Sequence, residues 1–404
     1  MTILFIKPID QDPFHHSFMN GVLVEEFSKK NVPVFIVQQT IQRTIPRILR
    51  KNICTLFTIH YYSSDNPLAS IVYGIINFLG LYTKILEVLI FHKITHVIVR
   101  SEWWSLVFVS FLRLFITIPL IYQESFPMEE YGLTQTSSNT QKNKLRKLFL
   151  EFRKNTKYKL MQKCDSVFVM SEAMEKMLIE KGVEKSKILI TPMGISTNEK
   201  MSDVGSVNLF EQHHNKFIIC YNGTMAPIRM PEMMVSAFDL AKSQCPNMVF
   251  LFVGGTSQEI DQLSKIRPQI LNNQDYIVIE NVERQKACAY LKIADIGISI
   301  IPPIDLFKVG SVTKLVEMLY YSLPVVANIE IPEQETMSRE CAAVFPCFFN
   351  EASIANAILT AYNKKHLLPE IGEEGKKYVL KNRSYEKISE DIYATLRRID
   401  HKEN

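Results

Sequence analysis

What the sequence lacks narrows the reading first. It has no CxxC pair, and its seven cysteines (Cys54, Cys164, Cys220, Cys245, Cys288, Cys341 and Cys347) are odd in number. A disulfide framework is therefore not expected, and the thiols read as reduced and mostly buried. No low-complexity tract and no short internal repeat occurs. The most apolar stretch, 105–122, is interrupted by Arg113 and Pro119 and falls short of the ~20 residues a spanning helix needs. No basic segment precedes the opening apolar run Thr2-Ile3-Leu4-Phe5-Ile6 and no small-residue cleavage site follows it, so no signal peptide is expected. Net charge is only +4, too small for a nucleic-acid coat. Its distribution is uneven: residues 1–200 carry 25 basic and 17 acidic side chains, and residues 201–404 carry 21 and 25. A basic first half suggests a surface turned toward something anionic.

What is present is an ordinary globular composition, 47% hydrophobic and 22% charged over 404 residues, enough for two or three domains. Short apolar runs alternate with helical spacing. Strands are expected at 2–6, 32–37, 96–99, 119–123, 166–170 and 188–191, with helices at 21–30, 71–91, 105–115, 142–163 and 172–181 between them. The stretch 194–215 breaks the pattern with Ser, Asn, Asp and Gly and reads as a linker. A second alternation follows, with strands at 217–221, 249–253, 276–279, 296–300 and 324–327 and helices at 231–243, 285–293 and 312–321. Such βαβ order implies parallel sheets covered on both faces. Two similar α/β halves joined by one linker imply a cleft between them, a usual ligand site.

Three segments carry candidate chemistry. The first is Gly310-Ser311-Val312-Thr313-Lys314-Leu315-Val316-Glu317. Ser311 reads as an N-cap and Val312 as the start of a helix. The N–H groups of a helix start favour phosphate, and Thr313 adds a hydroxyl. Glu317 lies one turn further on the same face, where it could accept from the two hydroxyls of a ribose. Phosphate first and diol one turn later is the outline of a nucleotide diphosphate sugar; a capped surface helix with a solvated Glu317 is the plainer alternative. The second is Asn222-Gly223-Thr224 through Arg229, a strand end, a Gly turn, and an Arg suited to a bidentate phosphate grip. The third is Leu251-Phe252-Val253-Gly254-Gly255, a βα turn.

In this order the segments resemble the retaining glycosyltransferases of family 4, whose fold is GT-B. Asp165 through Ser171, Ile190-Thr191-Pro192-Met193-Gly194-Ile195, Ala294-Asp295-Ile296-Gly297-Ile298 and Leu323-Pro324-Val325-Val326-Ala327 extend the resemblance, which covers residues 160–345 well and the first half in outline. It implies α/β architecture with two doubly wound Rossmann-like domains facing a cleft and a C-terminal helix crossing back to the N-domain. The implied boundaries are 1–195 for an acceptor-side domain, 196–215 for the linker, 216–382 for a nucleotide-sugar-binding domain and 383–404 for the last helix. It gives Arg229 the place of the basic residue that grips the donor diphosphate. Glu317 takes that of the carboxylate that holds the ribose. Gly223, Thr224, Gly254, Val312 and Thr313 fall at donor-binding positions. Lys314 would supply positive charge if it points into the cleft.

The sequence departs from that pattern in places. Val309 stands where the family often has a second Glu near the donor sugar, and Thr224 where many members have Arg. There is no glycine before Gly21, and Gln123-Glu124-Ser125 occupies the region where a catalytic-site His is common. His15, His16 and Glu124 are the acceptor-side candidates.

The implied activity is a retaining, metal-independent, hexosyltransferase-type reaction. It would take a sugar from a nucleotide diphosphate donor to a glycan or lipid-linked acceptor, as in bacterial surface polysaccharide assembly. Its chief demand is to stabilise leaving-group charge, which a helix end and cations meet without a cofactor or metal. The alternatives are a non-catalytic GT-B binding protein, favoured by Val309 and Thr224, and a nucleotide-sugar epimerase on the same fold. Lys142–Lys163 holds nine basic residues, with Leu145, Leu148, Phe149 and Phe152 on one helical face. It reads either as a domain helix with its apolar face packed inward or as a contact for an anionic membrane. The expected location is cytoplasmic, peripheral to the inner face of the plasma membrane, with no nucleic-acid partner.

Overall fold

The computed structural model describes residues 1–7, 17–134, 141–197, 213, 215–282 and 284–402. The chain divides into two compact units. Unit 1 comprises residues 1–192 and 385–404, and unit 2 comprises residues 193–384. Most of the expected linker, 196–215, lies outside the described residues.

Unit 1 holds eight strands: β1 (Ile3–Ile6), β2 (Val34–Thr40), β3 (Ile48–Lys51), β4 (Cys54–His60), β5 (His96–Arg100), β6 (Leu120–Glu124), β7 (Ser166–Val169) and β8 (Ile188–Ile190). They form one sheet in the order β3-β4-β2-β1-β5-β6-β7-β8. All pairs are parallel except β3 with β4. Every residue of β1, β5, β6 and β7 is buried, as a sheet covered on both faces requires. The β3–β4 hairpin was not foreseen. Its signal is the alternation Cys54-Thr55-Leu56-Phe57-Thr58 after Asn52, which takes φ of +55° at the turn. Arg50 and Lys51 lie on that edge strand, where exposed charge discourages sheet-to-sheet pairing.

The last helix, Tyr385–Lys402, belongs to unit 1. It buries Tyr385, Ile388, Ile392 and Leu396, one helical stripe. Its partner is the turn Met19–Glu26, which is wound as a π-helix rather than the α-helix expected over 21–30. Gly21 is required at this crossing, because a Cβ there would lie 2.1 Å from the Tyr385 ring.

Unit 2 holds six strands: β9 (Phe217–Asn222), β10 (Met248–Val253), β11 (Tyr276–Ile279), β12 (Ile296–Ser299), β13 (Val325–Asn328) and β14 (Val344–Cys347). All are parallel, in the order β11-β10-β9-β12-β13-β14. The chain builds outward from β9 to β11, then returns to β12 on the other side. Strand order thus reverses between β9 and β12, and loops at the carboxyl ends of strands flanking such a point form a crevice suited to ligands. The recurrent aspartates Asp165 and Asp295 are structural. Each carboxylate accepts the backbone N–H that starts a neighbouring strand, from Leu120 at 2.8 Å and from Ile218 at 2.7 Å.

Candidate functional site

At the switch point of unit 2, β9 ends in Asn222 and Gly223. Gly223 N donates to Val253 O at 3.0 Å, which locks the β9 and β10 loops together. Gly254, at φ of +108°, lies so close that a Cβ would come within 2.6 Å of Gly223 O. Its glycine character is explained by this backbone contact, which sets the floor of the crevice. Thr224 also serves the scaffold. Its hydroxyl donates to Glu259 Oε1 at 2.6 Å, and Glu259 Oε2 accepts from Met225 N and Thr256 N. Burial raises the Glu259 carboxyl, but these donors outweigh it and hold the pKa below the ordinary carboxylate range. Thr256 and Glu259 form a capping box for the helix Ser257–Ile266, legible in the sequence as T-x-x-E but not singled out.

Arg229 closes a short turn, Pro227–Arg229, ahead of the helix Pro231–Gln244. Its guanidinium carbon lies 4.3 Å from the centre of the Phe307 ring, on the segment that follows β12. The ring holds the cation by its π face, leaving the N–H edge for an anion. Among the described residues the guanidinium makes no ion pair or hydrogen bond. Nearby, the Asn222 side chain is buried and its Nδ2 has no partner among the described residues. Burial pushes the Tyr221 hydroxyl up to about 12, against the pull of Arg229.

The helix Thr313–Tyr320 differs from expectation at its start. Val312, not Ser311, is the N-cap, and its N–H donates to Glu333 Oε2 at 2.6 Å. Ser311 Oγ instead accepts from Met193 N and donates to Glu333, which also pairs with Arg383 at 2.6 Å. The Thr313 N–H goes to Ser311 O. The backbone at Val312 and Thr313 is therefore already engaged, a correction to its expected donor-binding role. The physical reason is the buried Glu333, which brings its own anion to the helix end from 21 residues further along the chain. The amides left for a ligand are those of Lys314 and Leu315, which have no intrahelical acceptor by position.

Glu317 lies one turn in and is buried, with its carboxylate 2.9 Å from the Lys314 ammonium. Lys314 is itself half exposed, so its charge is shared between Glu317 and the crevice. The loop after β12 is fixed from below. Asn328 accepts from Ile301 N and donates to Ile301 O, while Gln334 bridges Asn328 to Ser299. Glu333, Phe307 and Asn328 escaped sequence reasoning because their partners are distant in the chain.

In unit 1, Glu124 ends β6. It does not open to solvent as an acceptor-side residue would. It is buried, and its carboxylate lies 2.7 Å from Lys157 Nζ, which is equally close to Glu129. Arg153 pairs with Glu129 at 3.0 Å, and Tyr158 donates to Glu130. Burial pushes Glu124 up to about 7 despite Lys157. Burial also works against the Glu129 carboxylate and the Lys157 ammonium, but their mutual pairing wins: Glu129 falls below its usual value and Lys157 rises above its own. The basic helix Gln141–Gln162 thus sends Lys157 inward to neutralise a carboxylate cluster. Arg100, at the end of β5, is also buried and reaches Gln123 Oε1 at 3.4 Å. Trp103 packs inside, while Glu102 caps its helix. His15 and His16 lie outside the described residues. So do Asp10 and Asp12, a D-x-D pair that follows β1 in the sequence. Among the described residues no group of three His, Cys, Asp or Glu is placed to hold a metal ion.

No protein-family model matches the chain. An uncharacterized glycosyltransferase of Methanocaldococcus jannaschii is 26% identical over 140 residues, 34% of this chain and 35% of that protein. The chain therefore matches about a third of the length of that curated relative. Solved structures match over nearly the whole length. The sucrose-phosphate synthase of Thermosynechococcus elongatus gives a TM-score of 0.71 at 14% identity, covering 98% of this chain and 99% of that one. Anabaena HepE in complex with UDP-glucose gives 0.67 at 15% identity, covering 98% and 100%. A glycosyltransferase from Rickettsia africae gives 0.69 at 16%, covering 98% of each. At these identities the likeness establishes the fold, which is the two-domain α/β architecture of GT-B glycosyltransferases. The chain is thus glycosyltransferase-like in fold, and in sequence over those 140 residues.

Proposed function

We propose that the protein is a retaining glycosyltransferase that takes a sugar from a nucleotide diphosphate donor, with the donor held in the unit 2 crevice. The observation that carries this is Arg229. It is a cation held against Phe307 with no anion of its own among the described residues, at the switch point of a parallel sheet. Arg229 would take the diphosphate, with the Lys314 and Leu315 amides at the helix start. Glu317 would accept from the ribose hydroxyls, held in place by Lys314. As the donor's glycosidic bond breaks, negative charge grows on the diphosphate, and fixed cations lower the energy of that state more than of the bound donor. In this reading the leaving phosphate takes the proton of the acceptor hydroxyl, a hexosyl group is transferred, and no metal is needed. Anabaena HepE, solved with UDP and with UDP-glucose, supports a nucleotide-sugar donor. A glycan or lipid-linked acceptor, a part in bacterial surface polysaccharide assembly, and a cytoplasmic location at the inner membrane face complete the proposal.

A non-catalytic binding protein is the second reading. It is favoured by Glu333 occupying the Val312 amide and by Val309 in the position next to the donor sugar. Thermal shift against UDP, GDP and ADP separates the two. A nucleotide at 100 times its Kd should add about 2.7 kcal/mol of stability. The shift should fall by at least half in Glu317→Ala and in Arg229→Ala, and EDTA should leave it unchanged. A cooperative melt that no nucleotide moves would sink the transferase reading.

A further inference from the structure

Unit 1 exposes more apolar surface than a solvated domain needs. The helix Pro67–Phe91 is long and apolar enough to cross a bilayer by length and composition, and such a helix is normally covered on every side. Here one stripe, including Leu81, Tyr82, Ile85 and Val88, is buried. Asn77 pins that stripe to the domain by exchanging two hydrogen bonds with the Tyr62 backbone. The opposite stripe is open. Leu68 and Ile71 are 77% and 63% exposed, and Ile75, Leu79 and Ile90 continue it at helical spacing.

Two further helices adjoin this one. Phe78 meets Trp104 of the helix Trp103–Leu112 edge-on, with ring centres 6.1 Å apart. Trp103 meets Phe152 of the basic helix at 6.2 Å. On that helix Leu145 and Leu148 are each 65% exposed, so its apolar face, for which the sequence leaves inward packing and a membrane contact both open, faces out. These contacts make the three helices neighbours, and exposed apolar side chains on adjoining helices mark a docking site.

Charge identifies the occupant. Lys144, Arg146 and Lys147 are interleaved with Leu145 and Leu148, all exposed, and none pairs with an acid among the described residues. Glu151 is the only acidic residue on the helix Gln141–Gln162. Apolar side chains bordered by uncompensated cations match an anionic bilayer, whose acyl region takes the first and whose phosphates take the second. A folded protein partner would need an acidic rim around an apolar groove, and nothing in the structure points to one. The Pro67–Phe91 helix would lie along the surface. Crossing would strip Leu81, Ile85 and Val88 from their packing and carry the Lys84–Glu87 pair into hydrocarbon.

We propose that unit 1 docks on an anionic membrane through the outer faces of these three helices. This deepens the membrane part of the proposed function, and it stands whether or not the unit 2 crevice binds a nucleotide.

The test is cosedimentation of the full chain with phosphatidylcholine vesicles and with vesicles containing 30% phosphatidylglycerol. Ile71→Glu/Ile75→Glu and Lys144→Glu/Lys147→Glu are measured beside the parent chain. The expected result is binding to the anionic vesicles, at least 10-fold weaker to the neutral ones, with at least a 10-fold loss in each variant. Melting temperature and UDP-induced shift should be unchanged, since all four residues are exposed. Vesicle binding that neither variant weakens would overturn the proposal, as would no binding to either vesicle by a folded chain. A concentration-dependent dimer that Ile71→Glu/Ile75→Glu dissolves would assign the face to a second copy. A UDP shift without vesicle binding would overturn the docking surface alone, and vesicle binding without a UDP shift would overturn the donor site alone.

Discussion

Removing the Lys157 ammonium would leave Glu124 and Glu129 buried without the cation that lies 2.7 Å from each. Lys157→Met should therefore cost about 3–5 kcal/mol of stability, read by denaturant unfolding. Glu124 supplies a pH test. Its folded pKa is raised from 4.5 to about 7, so the folded state holds this proton more tightly than the unfolded chain does. Across that window stability falls as pH rises, by at most about 1.4 kcal/mol per pH unit. Glu124→Gln should flatten the fall between pH 5 and 7. Glu129 works the other way, since its lowered pKa gives stability that is lost as pH drops below its unfolded value. At this scale the sequence was only partly legible. The placement of Arg229 after a strand end and of Glu317 one turn into a helix could be read from local spacing. Glu333 could not, because its carboxylate reaches the Val312 amide from the start of another helix. Lys157 looked like one more solvated charge, because burial of a single lysine leaves no trace in the composition of a basic helix.

Among the elements, the crossing of Met19–Glu26 with Tyr385–Lys402 sets the tightest constraint. Gly21→Ala would drive a methyl group into the Tyr385 ring, a cost of about 1–3 kcal/mol and visible as a lowered melting temperature. Tyr385→Ala beside it should relieve part of that penalty in a double-mutant cycle. The alternating strands were legible because a doubly covered parallel sheet needs short, wholly apolar runs, and β1, β9 and β10 have them. The β3–β4 hairpin and β14 were not. β3 is largely exposed and half charged, and β14 is interrupted by Pro346. The basic helix was legible as a helix, but which way its apolar face turns depends on neighbours that periodicity does not name.

For the molecule as a whole, the division of the chain matters more than the length of either unit. Unit 2 is a single stretch, residues 193–384, whereas unit 1 is assembled from residues 1–192 and 385–404. Truncation after Ser384 would uncover the seat of Tyr385, Ile388, Ile392 and Leu396. Each fully buried apolar side chain contributes about 1.5–3 kcal/mol, so unit 1 should melt early while UDP still shifts the melting of unit 2. During synthesis the same division imposes an order. The seat around Gly21 emerges early, and the helix that fills it follows only after the whole of unit 2 has been made. At 5–20 residues per second that interval is about 10–40 s. The second unit can close first, and the first stays an open ledge, available to chaperones, until residues 385–402 arrive.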